Sequence, residues 1–201
     1  FFALKGENFD GNAFAEKALE AGAAYAVVSD RKGRTDPRLI EVPDTLSALQ
    51  ELAAWHRRQL RIPVIGLTGT NGKTTTKELI RAVLAQKYRV SATEGNLHND
   101  IGVPLTVLKI RPDTEIAIVE MGASHPEDLK PLLAVAQPTH GLIPNVGKAH
   151  LEGFGSFEGV RHAKGLLYDF LKAHGGTVFY NASDLVLHGM LEEREIRDRI
   201  P

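Results

Sequence analysis

The sequence predicts an α/β protein: a small N-terminal α/β domain, followed by a phosphate-binding-loop domain built on a mainly parallel sheet with helices on both faces. Three observations carry this. Apolar runs of strand length alternate with segments of helical periodicity from Ile62 to Tyr180, the order that gives parallel sheets. Glu115-Ile-Ala-Ile-Val-Glu120 is apolar between its two acids, as a buried strand requires. The stretch Ile62-Pro-Val-Ile-Gly-Leu-Thr-Gly-Thr-Asn-Gly-Lys-Thr-Thr-Thr-Lys-Glu-Leu-Ile80 passes from an apolar run through a glycine-punctuated turn into a helical pattern.

In chain order, Phe1 to Val42 reads as a small α/β unit. A turn at Asn8-Phe9-Asp10-Gly11 precedes a helix near Ala13 to Ala21, stopped by Gly22, and strands near Tyr25 to Val28 and Leu39 to Val42. Asp44 can cap a helix carrying Leu46, Leu49 and Ala53 on one face and ending near Leu60, before Pro63. The expected division is therefore residues 1–43, a connecting helix at 44–61, and a second domain at 62–201. In that domain Val64, Ile65 and Leu67 suit a buried strand, and Leu79, Ile80, Val83 and Leu84 form the apolar stripe of the helix after the loop. Strands follow at Tyr88 to Ala92, Glu115 to Glu120, Thr139 to Val146 and Thr177 to Tyr180. Helices are expected at Ile101 to Ile110, Pro126 to Ala136 and Ser156 to His174. The chain starts without methionine and stops at Ile200-Pro201 after a charged helical pattern, so both domains are expected to be incomplete portions of a longer protein.

The 201 residues, 43% of them hydrophobic, are enough for a substantial core, and a net charge of -1 with no basic stripe gives no support to a nucleic-acid partner. No cysteine is present, which removes disulfides, thiolate metal sites and a thiol nucleophile, and no apolar run approaches the length of a membrane span.

The loop supplies three kinds of group that a polyphosphate needs: backbone amides at a helix N-terminus around Gly72, the ammonium of Lys73, and the hydroxyl of Thr74 for magnesium. Gly69, Thr70, Asn71, Gly72, Lys73, Thr74 and Thr75 are thus the candidate phosphate cradle. Strict G-x-x-x-x-G-K-[ST] spacing would place glycine at position 67, where Leu67 stands. A glycine-rich strand-to-helix turn with a surface lysine is the plain alternative.

Glu120, at the carboxyl end of an apolar strand, is where open α/β sheets place ligand-binding groups, and it could hold magnesium or simply be an exposed strand-terminal acid. His150, in the loop Asn145 to Gly155, could ligate a metal or be a hydrogen-bonded structural histidine. Lys164, on an amphipathic helix, reads by pattern alone as a solvated lysine. The segment Glu94 to Asp100 serves equally as a surface loop or an amide-rich substrate contact.

Phe2-Ala-Leu-Lys-Gly6 with Asp10-Gly11, Thr68-Gly-Thr-Asn-Gly-Lys-Thr-Thr75, Thr93-Glu-Gly-Asn96 with Asn99 and Ile101-Gly-Val-Pro104, Glu120-Met-Gly122, Asn145 with His150-Leu-Glu-Gly-Phe-Gly-Ser156, and Ala163-Lys-Gly165 together resemble the Mur ligases. These are ATP-dependent, amide-forming enzymes of peptidoglycan synthesis. The first and fifth of these segments are similar to the branch that adds D-alanyl-D-alanine to UDP-N-acetylmuramoyl-tripeptide. The resemblance implies a uridine-nucleotide-binding first domain and an ATP-binding central domain, with ATP and two magnesium ions as cofactors. It further implies a cytoplasmic monomer with no nucleic-acid partner and no membrane span. By the same resemblance Lys73 and its neighbours bind the phosphates, and Thr74 with Glu120 holds one magnesium. His150 and Lys164, the lysine as its carbamate, serve the second, so Lys73, Glu120, His150 and Lys164 are the implied catalytic set. Lys5, Gly6, Asn96, Asn99 and Asn145 contact the substrate. Leu166, His98 and Asn12 depart from the family pattern, where glutamate, asparagine and histidine are expected. Another amino-acid-adding ligase, a folylpolyglutamate-type one included, and a non-catalytic nucleotide-binding module are the alternatives.

Overall fold

The computed structural model describes residues 1–148 and 151–201; His150 therefore lies outside the described residues. The chain divides into two compact units, Phe1–Leu52 and Ala53–Pro201.

In the first unit, β1 (Lys5–Gly6) and β2 (Phe9–Asp10) form an antiparallel hairpin. A 3-10 turn at Gly11–Phe14 leads into α1 (Ala15–Glu20), and β3 (Ala26–Val28) then pairs in parallel with β4 (Leu39–Glu41). The core is small: Ala3, Ala15, Leu19, Ala26, Val28 and Leu39. Asn12 is fully buried, and its side chain replaces missing backbone partners. Its amide donates to the Asp10 carboxylate at 2.8 Å, and its carbonyl oxygen accepts from the Ser29 amide at 3.0 Å. Asp10, bonded to Lys32 first and to Asn12 second, is held at a pKa of about 2.

Helix α2 (Thr45–Gln59) begins as the sequence requires, with the Asp44 carboxylate accepting from the Ser47 amide at 2.6 Å, and it continues past the boundary of the two units. Near its end, the buried Arg57 guanidinium donates to the carbonyls of Leu60, Ala136 and Gln137 at 2.9, 3.0 and 2.9 Å. The last two close another helix, whose orphan carbonyls favour a cation.

The second unit contains β5 (Val64–Leu67), α3 (Lys73–Leu84), β6 (Val90–Ala92), α4 (Gly102–Leu108), β7 (Ile116–Glu120) and α5 (Leu129–Ala136). These are followed by β8 (His140–Leu142), α6 (Leu151–Phe154), α7 (Phe157–His174), β9 (Thr177–Phe179), α8 (Leu185–Glu193) and β10 (Arg199–Ile200). Six strands form one sheet in the order β10-β9-β8-β5-β7-β6, and every pairing is parallel. The direction of the chain through the sheet reverses about β5, so the loops after β5 and β8 diverge at its carboxyl edge, where such sheets bind ligands. Helices α4 and α7 both pack on α5, and the three contribute Val103, Leu132, Leu133, Leu167 and Leu171 to the main core. Among the described residues no helix is long and apolar enough to cross a membrane.

Most elements expected from the sequence are present, with shorter strands; the β1–β2 hairpin, α6 and β10 were not expected, and two expected features differ in detail. Helix α5 starts three residues later than Pro126, because the Asp128 carboxylate binds the amides of Ser124 and His125 and holds 124–128 as a turn. Only half of the stripe expected on α3 turns inward: Ile80 and Leu84 are half-buried. Leu79 and Val83 are 64% and 72% exposed, whereas Lys77 is completely buried.

Candidate active site

The site begins where β5 ends. Thr68 continues the strand's bonding by donating to Leu142 O, and the chain then turns through Gly69 to Gly72 into α3. Gly72 has φ 74° and ψ 8°, a left-handed conformation natural to glycine, and as the N-cap of α3 it has no side-chain oxygen to offer the first turn. The amides of that turn are directed at whatever anion sits beyond the loop. Lys73 folds its ammonium across the loop, donating to Gly69 O at 3.0 Å and Thr70 O at 3.4 Å, so a cation stands beside the N-terminus of the helix.

The loop is held in shape from β8. Asn145 accepts from the Asn71 amide at 3.0 Å, returns a bond from its Nδ2 to Asn71 O at 2.9 Å, and gives its own backbone carbonyl to the Thr70 amide. Thr70 Oγ1 accepts from the Gly147 amide at 2.9 Å. Expected to touch substrate, Asn145 thus uses both ends of its amide on the loop. Replacing Asn145 with alanine removes two bonds worth about 1 kcal/mol each. Nucleotide affinity, read by calorimetric titration of ADP, is expected to fall about tenfold, about 1.4 kcal/mol, with the helix content unchanged. An unchanged affinity would show that the loop keeps its form without the brace.

Thr74 and Glu120 come together as the sequence implied. The threonine hydroxyl lies 3.2 Å from both carboxylate oxygens. Glu120 is not an exposed strand-end acid; only 1% of it is accessible. Around it stand the Lys77 ammonium, 3.7 Å from Oε2, and His98 Nδ1, 3.5 Å from Oε1. His98 Nδ1 is buried with no hydrogen-bond partner among the described residues, and its ring lies so close to Gly122 that a Cβ there would sit 2.3 Å from Cδ2. The Thr74 hydroxyl and the buried Glu120 carboxylate, converging beside a phosphate-type loop, supply the oxygen ligands that a hard divalent cation prefers. Among the described residues no group of three or more histidine, aspartate or glutamate side chains could hold a metal unaided. A cation here would therefore also need oxygen from the nucleotide.

Lys164 departs from the plain reading. Its side chain is buried at the α7 end of the site, where Nζ donates to Ala123 O at 3.1 Å and stands 5.4 Å from the centre of the Phe154 ring. Burial first, then the charge of Lys73, lowers its pKa to about 8. Asn99 caps the start of α4, accepting from the Gly102 amide at 2.8 Å, and Asn96 is exposed in the same connection. Lys5 and Gly6 lie exposed on β1. Leu166 packs against the main core, so no acid stands at that place.

Lys77 and the brace from Asn145 escaped the sequence reading. The usable signal for Lys77 was its spacing, since a residue three positions after Thr74 shares that helix face and so looks toward the strand carrying Glu120.

Residues 67–199 match the model of the Mur ligase middle domain, a span that starts at the end of β5 and includes the loop, Glu120 and Lys164. The chain belongs to the Mur ligase family. Among its relatives, the UDP-N-acetylmuramoyl-tripeptide--D-alanyl-D-alanine ligase of Bacillus subtilis is 46% identical over 92% of this chain. The ligase of the same name from Escherichia coli is 44% identical over 87% of it. The chain spans 41% and 38% of the lengths of these two Mur ligases. In three dimensions it is similar to MurF from Acinetobacter baumannii, with a TM-score of 0.88 at 33% identity over 100% of this chain and 44% of that one. It is likewise similar to the MurF ligase of Thermotoga maritima in complex with ADP, with a TM-score of 0.87 at 33% identity over 99% of this chain and 45% of that one.

Proposed function

We propose that this chain is part of an ATP-dependent ligase that joins D-alanyl-D-alanine to UDP-N-acetylmuramoyl-tripeptide in the cytoplasm, acting as a monomer. The observation that carries the reading is the Thr74 hydroxyl set on the buried Glu120 carboxylate beside the loop that bears Lys73. The names of the relatives support the choice of acceptor. Residues 1–43 would form the uridine-nucleotide side, with Lys5 and Gly6 among the contacts, and 62–201 the ATP side, joined by the helix at 44–61. Asn96 and Asn99 would face the muramyl peptide, with Asn145 reaching it only by way of the loop it braces.

In this reading the terminal carboxylate of the tripeptide attacks the γ-phosphorus of ATP, releasing ADP and leaving an acyl phosphate. The amine of D-alanyl-D-alanine then attacks the acyl carbon, the amide forms, and phosphate leaves. The loop amides and Lys73 hold the phosphates in line and offset charge on the transferring group, so positioning and electrostatics carry the rate. Thr74 and Glu120 would hold one magnesium, and Lys164, as its carbamate, a second with His150. Bound magnesium would shield the repulsion between ATP and the attacking carboxylate. Lys164 suits the carbamate role because a lysine with a pKa of about 8 keeps a neutral fraction able to take up carbon dioxide near neutral pH.

The deciding experiment measures ATP-dependent phosphate release by the full-length protein with UDP-N-acetylmuramoyl-tripeptide and either D-alanyl-D-alanine or single amino acids. Release that requires both the tripeptide and D-alanyl-D-alanine is the expected result. Release with a single amino acid alone would move the protein to another branch of the family. Residues 1–201 alone should release little phosphate, because the family's third domain helps bind the incoming amine.

A further inference from the structure

Lys77 is the one charged side chain of α3 that is completely buried, and the reaction proposed above gives it no part. Its ammonium donates to Thr93 O at 2.6 Å, lies 3.2 Å from Glu78 Oε1, and stands 3.7 Å from Glu120 Oε2. Thr93 closes the arrangement: its hydroxyl accepts from the Glu120 amide at 2.9 Å. One lysine thus links α3, the end of β6 and the end of β7 at the carboxylate that faces Thr74. A lysine wanted only for packing would be better replaced by an apolar side chain, since removing an ammonium from water is costly unless the charge is used nearby.

The distances indicate the use. At 3.7 Å the ammonium is too far from Glu120 for a good hydrogen bond, so it attracts the carboxylate without covering the lone pairs that meet Thr74. Its direct bond goes to the Thr93 carbonyl, which fixes the ammonium to the sheet rather than to the acid. Glu120 is thereby held at its backbone through Thr93 Oγ1 and at its carboxylate through charge, with its outer face left toward the loop.

We propose that Lys77 is a positioning residue that sets the Glu120 carboxylate for the divalent cation accompanying the nucleotide. The inference rests on the reading of Thr74 and Glu120 as a magnesium site. It acts through Glu120 alone, so its effect must vanish when Glu120 is neutralised.

The test uses the full-length protein with manganese as the probe. Binding of Mn2+ in the presence of ADP is followed by electron paramagnetic resonance, with thermal unfolding measured in parallel. Lys77→Met should weaken Mn2+ binding between about 10- and 100-fold, the range seen when groups that orient a metal ligand are lost. Lys77→Arg should restore part of that loss. In the Glu120→Gln background, adding Lys77→Met should change Mn2+ binding less than about twofold, because the pair is then replaced by two neutral groups. Unchanged Mn2+ binding in Lys77→Met would overturn the proposal. If Lys77→Met does not fold, the double variant decides. A folded double variant with the affinity of Glu120→Gln supports the proposal. A double variant that binds much more weakly, or does not fold, overturns it, because Lys77 would then serve the core independently of Glu120. Failure of the wild-type protein to bind Mn2+ with ADP would instead sink the magnesium-site reading itself.

Discussion

Lys73→Met in the full-length protein is expected to lower kcat for phosphate release by about 10³-fold while leaving the fold intact, the scale of losing a principal donor to a developing charge. Among the described residues the side chain is anchored by bonds to Gly69 O and Thr70 O in its own loop, so removing the ammonium leaves no buried partner unsatisfied among them. The fold should tolerate the change because the loop is braced from Asn145 and Gly147 and not by the lysine. Single-turnover phosphate release together with ADP titration separates the two effects. A large loss of rate with a smaller loss of ADP affinity is the signature of a group acting on the transferring phosphoryl. Equal losses in both would make Lys73 a ground-state anchor, and a kcat within threefold of the wild type would remove it from the chemistry.

The second large effect concerns Lys164. Folding places this ammonium against Ala123 O and the Phe154 ring and lowers its pKa from 10.5 to about 8, burial being the main cause. The unfolded chain holds this proton up to about pH 10.5, whereas the folded chain releases it from about pH 8. Between those values the unfolded state binds more protons, so stability rises with pH across the window. Below pH 8 the folded protein carries the unfavourable buried ammonium. The full difference is about 3 kcal/mol as an upper bound, at 1.36 kcal/mol per pKa unit. Tyr168, buried one turn further along α7, has its own pKa raised by burial and acts in the opposite sense at the alkaline end. The measurement is therefore a difference between wild type and Lys164→Met in denaturant unfolding at pH 7 and pH 9.5, in carbon-dioxide-free buffer. The wild type should gain on the variant as pH rises, and parallel pH profiles would show that Lys164 is not strained by its burial. In the full-length ligase the same variant should lose about 10²-fold or more in kcat if the lysine carries a carbamate beside the second magnesium. Activity in the wild type should then respond to added bicarbonate, whereas in Lys164→Met it should not.

Much of the site was legible because its parts are contiguous. Gly69 to Thr75 form one short run, and the left-handed turn at Gly72 that starts α3 is a conformation that glycine adopts without strain. Glu120 was legible by rule, as an acid at the carboxyl end of a strand in a parallel sheet. What escaped depends on residues far apart in sequence. Asn145 reads, through the resemblance, as a substrate contact until β8 brings it to brace Asn71, and His98 reads only as a departure from the family pattern until the turn before α4 sets its ring on Gly122 beside Glu120.

By itself, then, the sequence determined the alternation of strands and helices, the parallel sheet and the phosphate-binding turn, since these follow from periodicity and from backbone angles open to few residues. Only the tertiary structure decided which side of α3 is buried. Hydrophobic periodicity marks the stripe Leu79, Ile80, Val83 and Leu84, but burial is set by the neighbouring strands: Ile80 and Leu84 are half-buried, Leu79 and Val83 face outward, and the ends of β6 and β7 lead to Thr93 and Glu120, polar groups that a lysine can satisfy and a leucine cannot.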